Sequence, residues 1–362
     1  MIAKEHSGIG RGPSSLPTSE DARRLHADAF FIDGLMLWGS LDNPESMREA
    51  ADGGLNAGII TVAHYPHDRH QARDRITRYK KIVRENSDAL CFASSVEAML
   101  AAREKGLCAV AFGFQDVAPI GNDLDMIWEF AEAGVKVIQL TYNDQNLVGS
   151  GCCERVQGPL TRFGLKVLSE LERAKVAVDI SHCANPTRDS AIANAAAPIL
   201  ATHANADAIC NSPRNLRDDQ IKGIASTGGL IGICLASSFL KRDPRTNEIK
   251  PTTFDDVAIH MEHVAELVGP QHLGIGSDVC STWLASDETP AESSLRFWRE
   301  TNPEVFGVGR TDRYDPYPDN IRRHADLIGI TNALLRRGWK HSDIRGVLGE
   351  NYLRVLRQVW GH

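Results

Sequence analysis

The chain has 362 residues, 42% of them hydrophobic, and a formal net charge of −7. That is enough apolar side chain for a large globular core, and one α/β barrel of roughly 250 residues plus insertions would use the length. No Lys/Arg cluster forms the basic stripe that nucleic acid requires, and no apolar run nears the roughly 20 residues that span a bilayer.

In chain order, residues 1–22 open on MIAKEHSGIGRGPSSLPTSED. The stretch is polar, rich in Gly, Pro and Ser, and lacks the apolar core of a secretory signal. The expectation is a flexible arm on a cytoplasmic protein, followed by a single domain over 23–362. Eight apolar runs come next: AFFIDGLML (29–37), AGIITVAH (57–64), CAVAFGFQD (108–116), VKVIQLTYN (135–143), VAVDISH (176–182), PILATHA (198–204), GLIGICLA (229–236) and HLGIGSD (272–278). They are apolar almost throughout rather than alternating, as strands covered on both faces are. Amphipathic segments separate most of them, among them DMIWEFAEAG (125–134), FGLKVLSELERA (163–174) and FDDVAIHMEHVAELVG (254–269). Strand and helix alternating in this way predict an α/β protein, a (β/α)8 TIM-type barrel. A long insertion after the eighth strand is expected over 281–319, and further helices over 320–360. An open doubly wound sheet also alternates strands and helices, but it would want a GxGxxG loop after the first strand, and DGLMLWGS is not one. The eight Cys (91, 108, 152, 153, 183, 210, 234 and 280) contain no CxxC pair, and most lie in or beside apolar runs. Reduced, mostly buried thiols are expected.

Barrel enzymes place their chemistry at the C-terminal strand ends. The polar residues there are Asp33, His64, Gln115, Asp116, Tyr142, Asn143, His182, His203 and Asp278. His182 in DISH and His203 in ATHA end consecutive strands, and two neutral imidazoles plus an oxygen ligand suit Zn²⁺. Each alone would more often be a satisfied polar residue at a strand end. Asp278 in GIGSD is placed to take a proton from a water, or else to cap a helix. Arg214 in NSPRNLRDD offers a bidentate contact to a carboxylate, or else a surface charge in a loop. Cys152 and Cys153 are loop residues that border the expected pocket. His64 and His67 in HYPHDRH are more often a solvated loop than extra ligands.

Longer motifs add a resemblance. PLTRFGLKVLSELERAKVAVDISH, THANADAICNSPRNLRDD and HMEHVAELVGPQHLGIGSDVC, with LTYN at 140–143, resemble the corresponding segments of the membrane (renal) dipeptidase family. The similarity runs from about residue 30 to about 360. It implies a (β/α)8 fold, hydrolysis of dipeptides, two zinc ions bridged by a glutamate, and a homodimer. His182 and His203 match the pair that binds one zinc, Asp278 the proton-transferring aspartate, and Arg214 the arginine that holds the substrate carboxylate.

The departures fall at three strand ends. Where the family has DGHND, this chain has Asp33-Gly34-Leu35-Met36-Leu37, so both first-zinc ligands become leucine. The bridging glutamate aligns with Gln115, and the histidine of LTHN with Tyr142. The expectation is a site reduced to about one zinc per chain, held by His182 and His203 with Gln115, Asp278 or water as the oxygen ligand. Asp33, His64 and Asp116 remain as replacements for the lost ligands. The expected activity is hydrolysis of an amide bond in a dipeptide or small carboxylate-bearing amino-acid derivative, with Asp278 moving the proton, Tyr142 donating to the oxyanion and Arg214 anchoring the carboxylate. A decarboxylase or lyase on the same barrel, or a catalytically silent binding protein, are the alternatives.

Overall fold

A computed structural model describes residues 18–37, 39–279, 297–298, 300–309, 317–321 and 323–361. Its centre is one parallel sheet in the order β1 (Phe31–Met36), β2 (Leu55–Ala63), β4 (Cys108–Phe114), β5 (Val135–Gln139), β6 (Ala177–Asp179), β7 (Ile199–Ala201), β8 (Leu230–Ile233) and β9 (Leu273–Ile275). All eight expected runs supply these strands. The sheet closes through a parallel bridge between Met36 and Val279 and a hydrogen bond of 3.1 Å from the Asp278 amide to the Leu35 carbonyl. The (β/α)8 barrel therefore stands. A further strand, β3 (Leu90–Phe92), pairs with β4 outside the barrel path. It was not expected, because three residues are too short to show a period.

Helices fill the crossovers: α1 (Glu20–Asp28) before the barrel, then α2 (Pro44–Asp52), α3 (Arg69–Glu85), α4 (Val96–Glu104), α5 (Asp125–Glu132), α6 (Arg162–Arg173), α7 (Asn185–Asn194), α8 (Asp218–Ser226), α9 (Ser237–Leu240) and α10 (Phe254–Val268). Local chemistry sets their ends. Asp68 and Gln71 form a capping box on α3, Thr161 accepts from the Gly164 amide at the start of α6, and Gly269 after α10 takes φ of 91°. Of the expected N-terminal arm, 1–17 lies outside the described residues. Glu20–Ala22 already belong to α1, which Ser19 caps. Of the expected insertion, 281–296, 299 and 310–316 lie outside the described residues, and Pro303–Phe306 forms α11. The expected tail helices are α12 (Ile328–Arg336), α13 (His341–Arg345) and α14 (Asn351–Trp360). Among the described residues no helix is long and apolar enough to cross a membrane.

The strands' inner faces bury Ile32, Ala57, Ile59, Ala109, Ala111, Val137, Ala177, Leu200 and Leu230 around the ring of Tyr352, which α14 inserts between them. The Tyr352 hydroxyl donates to the Thr202 carbonyl at 3.2 Å. Three strand glycines clear its path. A Cβ on Gly34 would lie 1.8 Å from the Tyr352 hydroxyl, one on Gly232 2.6 Å from it, and one on Gly274 2.4 Å from the ring edge. Such overlap forces the ring or the strand to move. Gly34→Ala should therefore lower the unfolding free energy by about 1–3 kcal/mol, read as a lower urea midpoint at unchanged slope. An unchanged midpoint would mean that the ring relocates without cost.

Candidate active site

The sheet stops earlier than the apolar runs suggest. β6 ends at Asp179 and β7 at Ala201, so His182 and His203 stand in the turns that follow. The reason is local. The Asp179 carboxylate accepts from the Ser181 amide (3.0 Å) and hydroxyl (2.5 Å), and from the Thr202 amide (3.0 Å) and hydroxyl (2.6 Å). These bonds pull both chain segments out of ladder geometry and fix them to each other.

Both imidazoles are then held in one tautomer. The Thr202 hydroxyl spends its proton on Asp179, so it accepts from His203 Nδ1–H at 2.8 Å. His182 Nδ1–H donates to Asn143 Oδ1 at 2.7 Å. Burial and the nearby Arg214 guanidinium hold both histidines well below the usual imidazole range, so both are neutral at pH 7. Each Nε2 therefore carries a lone pair, and the two Nε2 atoms face each other at 2.9 Å. The Gln115 amide nitrogen lies 3.3 Å from His203 Nε2, and Gln115 Oε1 is buried without a partner. Gln139, reaching from β5, donates to the carbonyls of Gln115 (2.6 Å) and Thr141 (2.7 Å) and steadies that edge.

Tyr142 stacks on His182 with ring centroids 4.3 Å apart and an interplanar angle of 23°. Its amide donates to Asp116 at 2.6 Å, and burial and the Asp278 charge raise its phenol above the ordinary tyrosine range. Asp278 sits at φ of 58°, with its carbonyl accepting from Tyr317 at 2.7 Å and its carboxyl 4.0 Å from the Cys234 thiol. Burial pushes that carboxyl up to about 7, against the pull of Arg214. Arg214 is 1% exposed; it donates from Nη1 to the Ser181 carbonyl and from Nη2 to the His203 carbonyl (2.9 Å), leaving Nε buried without a partner. The expected site residues His182, His203, Gln115, Tyr142, Arg214 and Asp278 thus converge on one mouth. Cys152 borders it, with Sγ 3.6 Å from Asn143 Oδ1, and the Cys153 amide donates to the Asn143 carbonyl at 2.9 Å.

Asp33 and Asp116, two of the three possible replacement ligands, are engaged elsewhere, whereas the His64 ring lies 6.1 Å from that of Tyr142 at the mouth. Asp33 accepts from the Ser277 amide (2.8 Å) and hydroxyl and pairs with His324 Nε2 at 2.6 Å, which ties β1 to the end of β9. Asp116 accepts from the amides of Tyr142 and Ala118 and from the Asn146 side chain (3.1 Å), and burial pushes it up to about 6. His64 Nδ1 contacts the Tyr65 carbonyl at 2.6 Å, and its amide donates to His67 Nδ1 at 3.2 Å. Among the described residues no group of three His, Cys, Asp or Glu side chains is placed to hold a metal. A carboxylate-bridged pair of ions does not fit this donor set. A single ion does fit: two neutral imidazole lone pairs facing at 2.9 Å repel unless an electrophile lies between them, and a turn of the Gln115 amide would add its orphaned oxygen.

Residues 38–292 match the family model described as membrane dipeptidase (peptidase family M19). The chain belongs to the membrane dipeptidase family. This family member is 30% identical to an amidohydrolase from Pseudomonas aeruginosa of known structure, over 94% of this chain and 99% of that one, with a TM-score of 0.82. A metallopeptidase from Rhodobacter sphaeroides, solved with a phosphinate mimic of the dipeptide L-Ala-D-Ala, shares the fold at 20% identity and a TM-score of 0.73, over 92% of this chain and 100% of that one. The dipeptidase verJ of Clonostachys rogersoniana is 24% identical over 329 residues, which are 86% of this chain and 75% of that protein. This dipeptidase-family chain is accordingly a hydrolase of the peptidase class.

Sequence reasoning singled out the first-contact residues but not the groups that orient them: Asn143 had no role, and Asp179, Ser181, Thr202, Gln139 and Arg188 were passed over. The only signal was that D-I-S-H and A-T-H each place a hydroxyl residue directly before the histidine. The raised Asp278 sets a pH test. Its folded-state pKa of about 7 exceeds the ordinary aspartate value of 3.8, so between those values the folded chain keeps a proton that the unfolded chain releases. Wild-type stability should therefore fall relative to Asp278→Asn as pH rises from 4 to 7, measured by urea midpoints. Parallel curves would show that Asp278 titrates as an ordinary carboxyl.

Proposed function

We propose that this family member hydrolyses the amide bond of a dipeptide-like or other small carboxylate-bearing amino-acid substrate, using a site reduced to one zinc ion. The observation that carries this is the pair of neutral imidazoles, tautomer-fixed through Asn143 and Thr202, whose Nε2 lone pairs converge at 2.9 Å. His182, His203 and Gln115 would hold the ion, which when bound supplies Lewis acidity and a more acidic water.

The chain's own groups account for the rest. Arg214 presents its unpaired Nε–H, and a guanidinium already locked by two carbonyls is preorganised for a substrate carboxylate. Tyr142, fixed by stacking on His182 and by the Asp116 contact to its amide, holds a protonated phenol to donate to the developing oxyanion. Asp278, titrating near neutral pH, accepts the proton of the attacking water and returns it to the leaving nitrogen.

The test is metal content by elemental analysis of protein purified without added metal or chelator, alongside turnover of a dipeptide and N-acyl amino-acid panel followed by product mass. We expect about one ion per chain, lost in His182→Ala and His203→Ala, and a fall in kcat of about 10²–10⁴-fold in Asp278→Asn. A mass gain of one water marks hydrolysis; loss of carbon dioxide would mark a lyase instead. Unchanged turnover in His182→Ala would sink the proposal.

A further inference from the structure

Arg214 shares two of its supports with a second arginine. Its guanidinium carbon lies 5.5 Å from the centroid of the Phe239 ring, and its amide donates to Ser212 Oγ at 3.2 Å. The guanidinium carbon of Arg242 lies 6.0 Å from the centroid of the same ring, and Arg242 Nη2 donates to the same Ser212 Oγ at 3.2 Å. Ser212 can serve both arginines because its one hydroxyl proton goes to the Val305 carbonyl at 2.9 Å, which leaves the oxygen free to accept twice. Phe239 and Ser212 are 5% and 1% exposed, so water does not compete for these contacts.

Arg242 belongs to FLKRDPRTN, between α9 and α10. Its planar fork holds several pieces of chain at once. Nε donates to the Ser238 carbonyl at 2.5 Å, Nη1 to Asn247 Oδ1 and to the Glu304 carbonyl, both at 3.2 Å, and Nη2 to the Val305 carbonyl as well as to Ser212. Asn247 extends the frame by donating to the Pro303 carbonyl at 2.6 Å. These bonds fasten α11 beside the site, and its Phe306 packs on Phe239 with ring centroids 5.8 Å apart. From the other side Asn215, next to Arg214 in the chain, donates to the Phe239 carbonyl at 3.0 Å. The ring beside Arg214 is therefore fixed by Asn215, by α11 and by Arg242. A lysine ammonium has no fork with which to reach the same acceptors together.

We propose that Arg242 is a positioning residue for the substrate carboxylate: through Phe239 and Ser212 it fixes Arg214, whose Nε–H is the buried donor without a protein partner. This rests on the assignment of Arg214 as the carboxylate anchor. The carbonyls of Ser181 and His203 already hold the two terminal nitrogens of Arg214. Arg242 adds support at the Arg214 amide and beside its guanidinium, and it touches no substrate in this role. A charged donor set in its geometry before the ligand arrives binds more tightly than one that must be ordered by the ligand.

A matched pair of probes isolates the carboxylate. One is the phosphinate isostere of Ala-Ala, which cannot be hydrolysed; the other is the same phosphinate with its carboxylate replaced by a carboxamide. Titration calorimetry on the full chain should show the wild type binding the carboxylate compound about tenfold tighter or more. In Arg242→Gln and in Arg242→Lys that ratio should fall toward one through weaker binding of the carboxylate compound, with affinity for the carboxamide kept within about twofold. An equal loss of affinity for both compounds would make Arg242 a general clamp and overturn the proposal. So would a wild-type ratio retained in Arg242→Lys, which would show that charge acts without the fork. A ratio unchanged in both variants removes this role alone and leaves Arg214 as the anchor. A wild type that binds the two compounds equally, or binds neither, removes the anchor and this inference with it.

Discussion

The Asp179 carboxylate takes hydrogen bonds from both the amide and the hydroxyl of Ser181 and of Thr202. The placement of both histidines at the mouth follows from that arrangement. It ends two strands early, presents two histidines from adjacent turns, and consumes the one proton that would otherwise let Thr202 donate to His203. The Ser181 hydroxyl, having spent its own proton on Asp179, accepts the His203 amide at 3.1 Å. A single buried carboxylate thereby fixes the position of both imidazoles and the tautomer of one. Arg188 and Arg214 clamp the same two turns from below through carbonyls, so the histidine pair rests on a rigid polar floor rather than on flexible loops.

That floor makes the mouth electrically unusual. Buried arginines are ordinarily matched by carboxylates, because an unmatched charge in a poor solvent is costly. Here backbone dipoles do the matching. Carbonyl oxygens satisfy the N–H groups, and the buried carboxylates of Asp179 and Asp116 are met in the same way by amides and hydroxyls, so buried charges of both signs rest on neutral partners. Burial first, and the Arg214 charge second, suppress the imidazolium forms of His182 and His203, and Arg214 tempers the upward shift that burial gives Asp278.

Most of the architecture was legible in the residues. Eight apolar runs became the eight barrel strands because strands covered on both faces need apolar side chains at consecutive positions. Three-residue β3 escaped because it shows no such run. Within the site, His182, His203, Gln115, Tyr142, Arg214 and Asp278 were legible as strand-end polar groups or family motif positions, and they do share one mouth. What could not be read was which hydrogen bonds each would make. Asp33 and Asp116 look identical to free ligands in the sequence, and only their contacts with Ser277, His324, Tyr142 and Asn146 remove them from consideration. Arg188 carries no motif at all, since a mid-helix arginine reads as surface until the fold buries it.

Tyr352 has a consequence of a different kind. The ring that fills the centre of the barrel comes from a helix far downstream of the last strand, so the eight strands cannot reach their final packing among themselves. During synthesis, a chain that has already emerged through β9 has every strand but a hollow axis, lined by Gly34, Gly232 and Gly274 where the ring belongs. Completion waits on the docking of α14. The order in which segments leave the ribosome then sets when the histidine platform becomes rigid, because the Thr202 carbonyl that receives the Tyr352 hydroxyl belongs to the residue that orients His203.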